Sequence, residues 1–243
     1  MLGRCGNWCA PWDLLIRLWG VQEAMIDLIE RPDMVNAIVD KTTMILVREL
    51  EQLDELNLLG PNDNNTRVGT GGYGYTKDLP GDDFDPNHIK PINKWGGAMA
   101  QIFSDVSPEM HWEFALRHEI KFMERFGMNY YGCCEPLDRK IDISRRIPNL
   151  RKISMSPWTD PELAAPQVGR SLVYSFKPNP AILAEDHWRP DVAREEIRTV
   201  LEKAKGCNIE IIHKDISTVR YEPQRLWEWV AIAVEEAERI GES

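Results

Sequence analysis

The sequence lacks any apolar run near the roughly 18 residues that a membrane span requires. No secretory leader is expected either, since Met1-Leu-Gly-Arg4 leads into Trp, Asp and Arg rather than an apolar stretch with a small-residue cleavage site. Basic charge is in deficit, with 29 Lys and Arg against 39 Asp and Glu and a net charge of -10. That deficit argues against a nucleic-acid partner, because neutralising phosphates needs a basic face. Cysteine is scarce and odd in number, five residues without compact disulfide spacing, which favours reduced thiols or metal ligands in a cytoplasmic chain. Neither GxxxxGK[ST] nor GxGxxG occurs, so the glycine-rich segment from Arg67 to Tyr75 is not a phosphate cradle by motif; its glycines suit close backbone approach.

What is present is a repeating pattern. Short apolar runs pass into polar loops and then into helical patterns, which argues for parallel strands with crossover helices. Runs begin at Leu2, Arg67, Met128, Lys152, Ser171 and Asn208, giving about six βα units where a full (β/α)8 barrel of the TIM type requires eight. With 243 residues and 43% hydrophobic content, one domain over residues 1–243 fits. Helices are expected from near Asp13, beyond the break at Pro32-Asp33, from Ser107-Pro108-Glu109 onward, over Pro190 to Lys205 and over Pro223 to Ile240. Helical spacing puts His111 and His118 on one face, flanked by Glu113 and Glu119, with His111 an acid/base candidate and His118 a packing or solvated residue.

The stretch Asn129-Tyr-Tyr-Gly-Cys-Cys-Glu-Pro-Leu137 is the centre of the chemistry on this reading. Strand alternation puts Cys133 and Glu135 on one face and Cys134 with Gly132 on the other, so one thiol alone would face a site. Pro136 cannot donate to a ladder, which places these groups at a strand's C-terminal end, where barrels of this kind carry their sites. Cys133 and Cys134 read equally well as small buried residues. Cys5-x-x-x-Cys9 matches no closed zinc pattern. Several of the nine tryptophans stand beside strand ends, Trp8, Trp12 and Trp158 among them, where they either line a pocket or pack the core.

The loop sequences resemble those of the uroporphyrinogen decarboxylase superfamily, which includes cobamide-dependent methyltransferases. Cys9-Ala-Pro-Trp-Asp-Leu14, Val106-Ser-Pro108, Met155-Ser-Pro-Trp-Thr159 and Phe176-Lys-Pro-Asn-Pro180 are similar to elements of that family in the same order. The resemblance implies that the chain corresponds to units three to eight of the family barrel, without a counterpart of the first two. It implies a methyltransferase of corrinoid-linked one-carbon metabolism, with a cobamide carried by a partner corrinoid protein and zinc as a metal. The rivals are a decarboxylase of a tetrapyrrole-like polycarboxylate and an idle barrel acting as a partner-binding subunit. Implied catalytic residues are Cys133, Cys134, Glu135, His111 and Asp215, with Cys133 and Glu135 as metal ligands. Trp12, Trp158, Lys177, Asn179 and Lys214 would bind a small-molecule substrate. The chain departs from the family's His-x-Cys, reading Tyr131-Gly-Cys133 there or, one residue shifted, Gly132-Cys-Cys134, without the His in either register. A homo-oligomer is compatible with all of this, and no membrane partner is expected.

Overall fold

The computed structural model describes residues 6–82 and 84–241. Six parallel strands form one sheet in the order β1 (Trp8–Cys9), β4 (Trp95–Ala98), β5 (Met128–Tyr131), β6 (Leu150–Met155), β7 (Val173–Phe176) and β8 (Asn208–Ile211). Sequential strands in this sheet are spatial neighbours and every pair is parallel. This is a mixed α/β fold whose parallel sheet, flanked by helices, is compatible with part of an α/β barrel. Among the described residues β1 and β8 pair on one side only.

Alternation along the strands sets two faces. Cys9, Ala98, Tyr131, Ile153, Met155, Tyr174 and Phe176 belong to the main apolar core beneath the helices. The opposite face carries Trp95, Tyr130, Lys152, Ser154, Ser175 and Glu210. Lys152 Nζ donates to Glu210 Oε2 at 2.9 Å, and Ser175 Oγ donates to Glu210 Oε1 at 2.6 Å.

That polar face is covered by a hairpin formed by β2 (Arg67–Val68) and β3 (Gly72–Tyr73), paired antiparallel. Here the expectation of a sheet strand at Arg67 fails. The hairpin's carbonyls satisfy what lies beneath: Tyr73 O accepts from Lys152 Nζ at 2.6 Å and Gly74 O from Trp95 Nε1 at 2.9 Å. Gly69, at φ +67°, lies so close that a Cβ there would meet the Tyr130 ring at 2.4 Å. The true second strand is β4, whose Trp-Gly-Gly-Ala sequence carries little strand propensity. Its glycines are steric requirements, since a Cβ on Gly97 would stand 2.7 Å from Tyr130 O.

Five helices open with Pro at their first turn: α1 (Pro11–Trp19), α3 (Pro32–Glu55), α4 (Pro108–His111), α7 (Pro161–Val168) and α9 (Pro190–Lys203). Proline's fixed φ suits that position and its missing N–H costs nothing there. The remaining helices are α2 (Val21–Glu30), α5 (Arg117–Met123), α6 (Ile141–Ser144), α8 (Ala181–Ala184) and α10 (Gln224–Gly241). Asp13 lies in the first turn of α1 rather than capping it. The α9–α10 seam is held by Glu236, which is 1% exposed and accepts from Arg194, Arg198 and Arg239.

Between α4 and α5 the chain makes a wide π-helical turn, Trp112–Leu116. At about 100° per residue, seven residues return to the same face and eight do not. The wide turn absorbs one residue and moves the match on by one. His111 therefore aligns with Glu119, not His118: His111 Nε2 lies 2.5 Å from Tyr131 Oη, which donates to Glu119 Oε2 at 3.2 Å. His118 turns to α3, meeting Asn36 Oδ1 at 3.0 Å and Asp40 Oδ1 at 3.3 Å.

Candidate functional site

The site begins where β5 ends. Gly132 takes φ +97°, a conformation that suits glycine, and turns the chain out of the ladder. Strand alternation therefore stops at Tyr131, and the expectation that the two thiols point to opposite faces is overturned. Cys133 and Cys134 bring their sulfurs to 3.5 Å from each other. Glu135 does not share their face. Its carboxylate, fully buried, folds back so that Oε2 accepts from Cys133 N at 2.9 Å, while Oε1 meets no partner.

The neighbouring wall comes from the loop after β8. Asp215 adopts φ +59°, rare for a residue with a side chain, and the bend brings Lys214 back over the thiols. Lys214 Nζ lies 3.5 Å from Cys134 Sγ and 3.8 Å from Cys133 Sγ, and pairs closely with Asp215. Asp215 Oδ2 is 3.7 Å from Cys134 Sγ. Cys133, Lys214 and Asp215 line a cavity of about 690 Å³ together with Thr70, His213 and Trp229. That volume lies within the range of small-molecule sites.

The electrostatics divide the two thiols. The hydrogen bond from Cys133 lowers the Cys134 thiol to about 6, and the Lys214 charge adds to it against partial burial. Cys133, as the donor in that bond and buried from water, is pushed up. Burial draws Lys214 down, but Asp215 and the two sulfurs outweigh it and the ammonium is held charged. At neutral pH the pair is one thiolate and one thiol beside an ammonium. Burial raises Glu135 to about 7 despite its backbone hydrogen bonds.

His213 and Trp229 were not singled out by the sequence, although His213 directly precedes Lys214. The two rings stack with centroids 4.2 Å apart, and neither ring nitrogen of His213 nor Trp229 Nε1 has a hydrogen-bond partner. Burial lowers His213 to about 4, so the imidazole is neutral.

The other expected residues lie elsewhere. Trp12 is fully buried, its Nε1 donating to Phe114 O at 2.8 Å while its ring packs on Phe103; it is a core residue. Trp158 is 70% exposed and borders a different cavity, with Ser107 and Lys140. Lys177 is buried against Ser175, its Nζ donating to Ser175 O at 2.9 Å. Asn179 shapes a turn, its Oδ1 accepting from Ala181 N at 3.0 Å. His111 sits inside the helix layer, fully buried and drawn down to about 3 by burial and by Lys140. Trp12, Trp158 and Lys177 therefore do not gather with Cys133 and Asp215 around one cavity.

Zinc does not fit the pair Cys133 and Glu135. One carboxylate oxygen, Oε2, is committed to the Cys133 amide, and an ammonium stands against both sulfurs where a cation would bind. Among the described residues no group of three or more His, Cys, Asp and Glu side chains is gathered to hold a metal ion. Cys5 lies outside the described residues, so its pairing with Cys9 cannot be placed; Cys9 itself is fully buried. No helix among them is long and apolar enough to cross a membrane. Comparison with protein-family models finds no match, and no curated protein matches the chain.

Proposed function

We propose that the chain is a uroporphyrinogen decarboxylase-like enzyme of corrinoid-linked methyl transfer, part of a (β/α)8-type barrel, with Cys134 as the base that activates the methyl acceptor. One observation carries this reading: Cys134 Sγ lies 3.5 Å from both Cys133 Sγ and Lys214 Nζ, and Cys133 and Lys214 line a cavity large enough for a small molecule. Support also comes from the placement of the site at the carboxyl ends of parallel strands, where α/β folds bind ligands.

The acceptor, a thiol or other X–H group, occupies the cavity and gives its proton to Cys134 Sγ. Its freed electron pair forms the bond to the methyl carbon, and the bond from that carbon to the donor breaks with its pair left on the donor. Cys134 then returns the proton to water. A thiol held at about 6 is well matched to such a base at neutral pH. A cobamide carried by a partner protein would supply the methyl group from outside. Lys214 holds Cys134 ionised, and the Trp229 and His213 rings wall the acceptor.

The test is demethylation of methylcobalamin, followed by absorbance, with a panel of small thiols and amines as acceptors. The wild-type protein should exceed the background rate, and Cys134→Ser should lose about 10²-fold, the usual worth of a positioned base. Equal rates in the two proteins, or no wild-type rate with any acceptor, refute the reading. The decarboxylase alternative is weakened because Lys152 and Lys177 are spent on Glu210 and Ser175. The partner-binding alternative draws on the unpaired sides of β1 and β8. Tight, turnover-free binding of a corrinoid protein, unaffected by Cys134→Ser, would favour it.

A further inference from the structure

We infer that Cys133 and Cys134 together form a two-point site for a thiophilic trivalent metalloid, of the class of monosubstituted arsenicals. The inference concerns the same loop as the proposed transfer but does not depend on it.

Separation is the first argument. Two sulfurs each about 2.3 Å from one centre, the length of a zinc–thiolate bond, and meeting there at roughly 100° lie about 3.5 Å apart. The two thiols already stand at that separation, 3.5 Å. A disulfide, by contrast, requires about 2.05 Å, so the sulfurs would have to close on each other between adjacent residues.

Charge is the second. A dication entering here would meet Lys214 Nζ at the sulfurs. A trivalent arsenical adds no net charge: R–As=O and two thiols give R–As(S)2 and one water. Two As–S bonds form, the oxygen leaves as water with two protons, one from Cys133 and one from solvent because Cys134 is ionised, and no atom changes oxidation state. Lys214 remains compatible with the neutral product.

Access and space are the third. Cys134 is exposed, and Cys133 opens on the cavity, whose wall of Ile211, Ile212, Leu226 and Val230 offers an apolar surface for the organic substituent.

The experiment treats the intact protein with phenylarsine oxide and reads the adduct by mass spectrometry. The expected result is one adduct per chain with loss of one water, mapped to the Cys133–Cys134 peptide, resistant to 2-mercaptoethanol and removed by 2,3-dimercaptopropanol. Cys133→Ser or Cys134→Ser should each leave a one-bond adduct about 10²-fold weaker, as loss of one of two linked contacts predicts. Cys207→Ser should bind as the wild type does. Reversal by the monothiol as readily as by the dithiol, in the wild-type protein, overturns the inference without recourse to any variant. So does protection of the pair by equimolar Zn²⁺. Iodoacetamide labelling of Cys134 in the same preparation reports separately on the thiolate that methyl transfer uses, so either reading can fail alone.

Discussion

Replacing Lys214 with methionine removes the ammonium over Cys134 while keeping an unbranched side chain one atom shorter. At 3.5 Å, unit charges interact by about 4.7 kcal/mol at an effective dielectric of about 20 and about 1.2 kcal/mol in bulk water. Cys134 is exposed and Lys214 is not, so solvent screening places the pair between these limits, near 2–3 kcal/mol, or about two pKa units. The thiol should then rise from about 6 to about 8, the hydrogen bond from Cys133 remaining. At pH 7 the thiolate fraction falls from about nine-tenths to about one-tenth, and alkylation slows by about tenfold. Near pH 10 the two proteins converge, because both are ionised there. The assay is the pH profile of iodoacetamide labelling, with the modified peptide mapped to Cys134. Asp215→Asn supplies a control of opposite sign, since its carboxylate opposes the thiolate. A Lys214→Met midpoint within half a unit of the wild-type value, or an Asp215→Asn midpoint that rises, refutes the electrostatic account.

Three further outcomes concern the scaffold. Arg198 first, then Arg194 and Arg239, hold the Glu236 carboxyl down at about 2, below its unfolded range. Its contribution is therefore complete above about pH 4.5 and lost as pH falls toward 2; Glu236→Gln should cost about 2–4 kcal/mol in urea unfolding at pH 6, and a gap just as large at pH 3 would contradict this. Burial raises Glu119 well above its ordinary value, so the wild type loses stability as pH climbs past the unfolded pKa; Glu119→Gln should match or exceed wild-type stability at pH 7, and a loss beyond about 1 kcal/mol would show the carboxylate to be charged. Gly69→Ala puts a methyl group into the Tyr130 ring at a positive φ and should cost about 2 kcal/mol or more, with faster amide exchange confined to the hairpin; unchanged exchange would mean that the hairpin is not held by this contact.

The strands at Met128, Lys152, Ser171 and Asn208 were legible because β-branched and aromatic residues cluster there between turn signals, and the structure keeps each within two residues. The proline-led helices were legible for a local reason too, the fit of proline to a first turn. β4 was not, since Trp95-Gly-Gly-Ala98 carries no strand preference and owes its place to the close approach of Tyr130 and Phe126. The hairpin was mistaken for a sheet strand because its glycines and flanking residues carry no mark of which face they cover. At the site, residue types pointed to Cys133, Cys134, Lys214 and Asp215, but their arrangement depended on two backbone angles, at Gly132 and Asp215, that no side-chain pattern encodes. His213 carries no motif, and its place follows from the stack on Trp229, sixteen residues further on.

The wide turn at Trp112–Leu116 makes the buried chain of His111, Tyr131 and Glu119 depend on how that segment winds. Rewinding its five residues at the ordinary 3.6 per turn, with none removed, would swing the downstream half of the helix round by about 100°. His118 would then arrive at the tyrosine hydroxyl in place of the carboxyl group, exchanging an acid for a base in the interior. A loss of one codon in that segment would instead take up the extra residue and leave Glu119 seven positions after His111, facing the tyrosine as before.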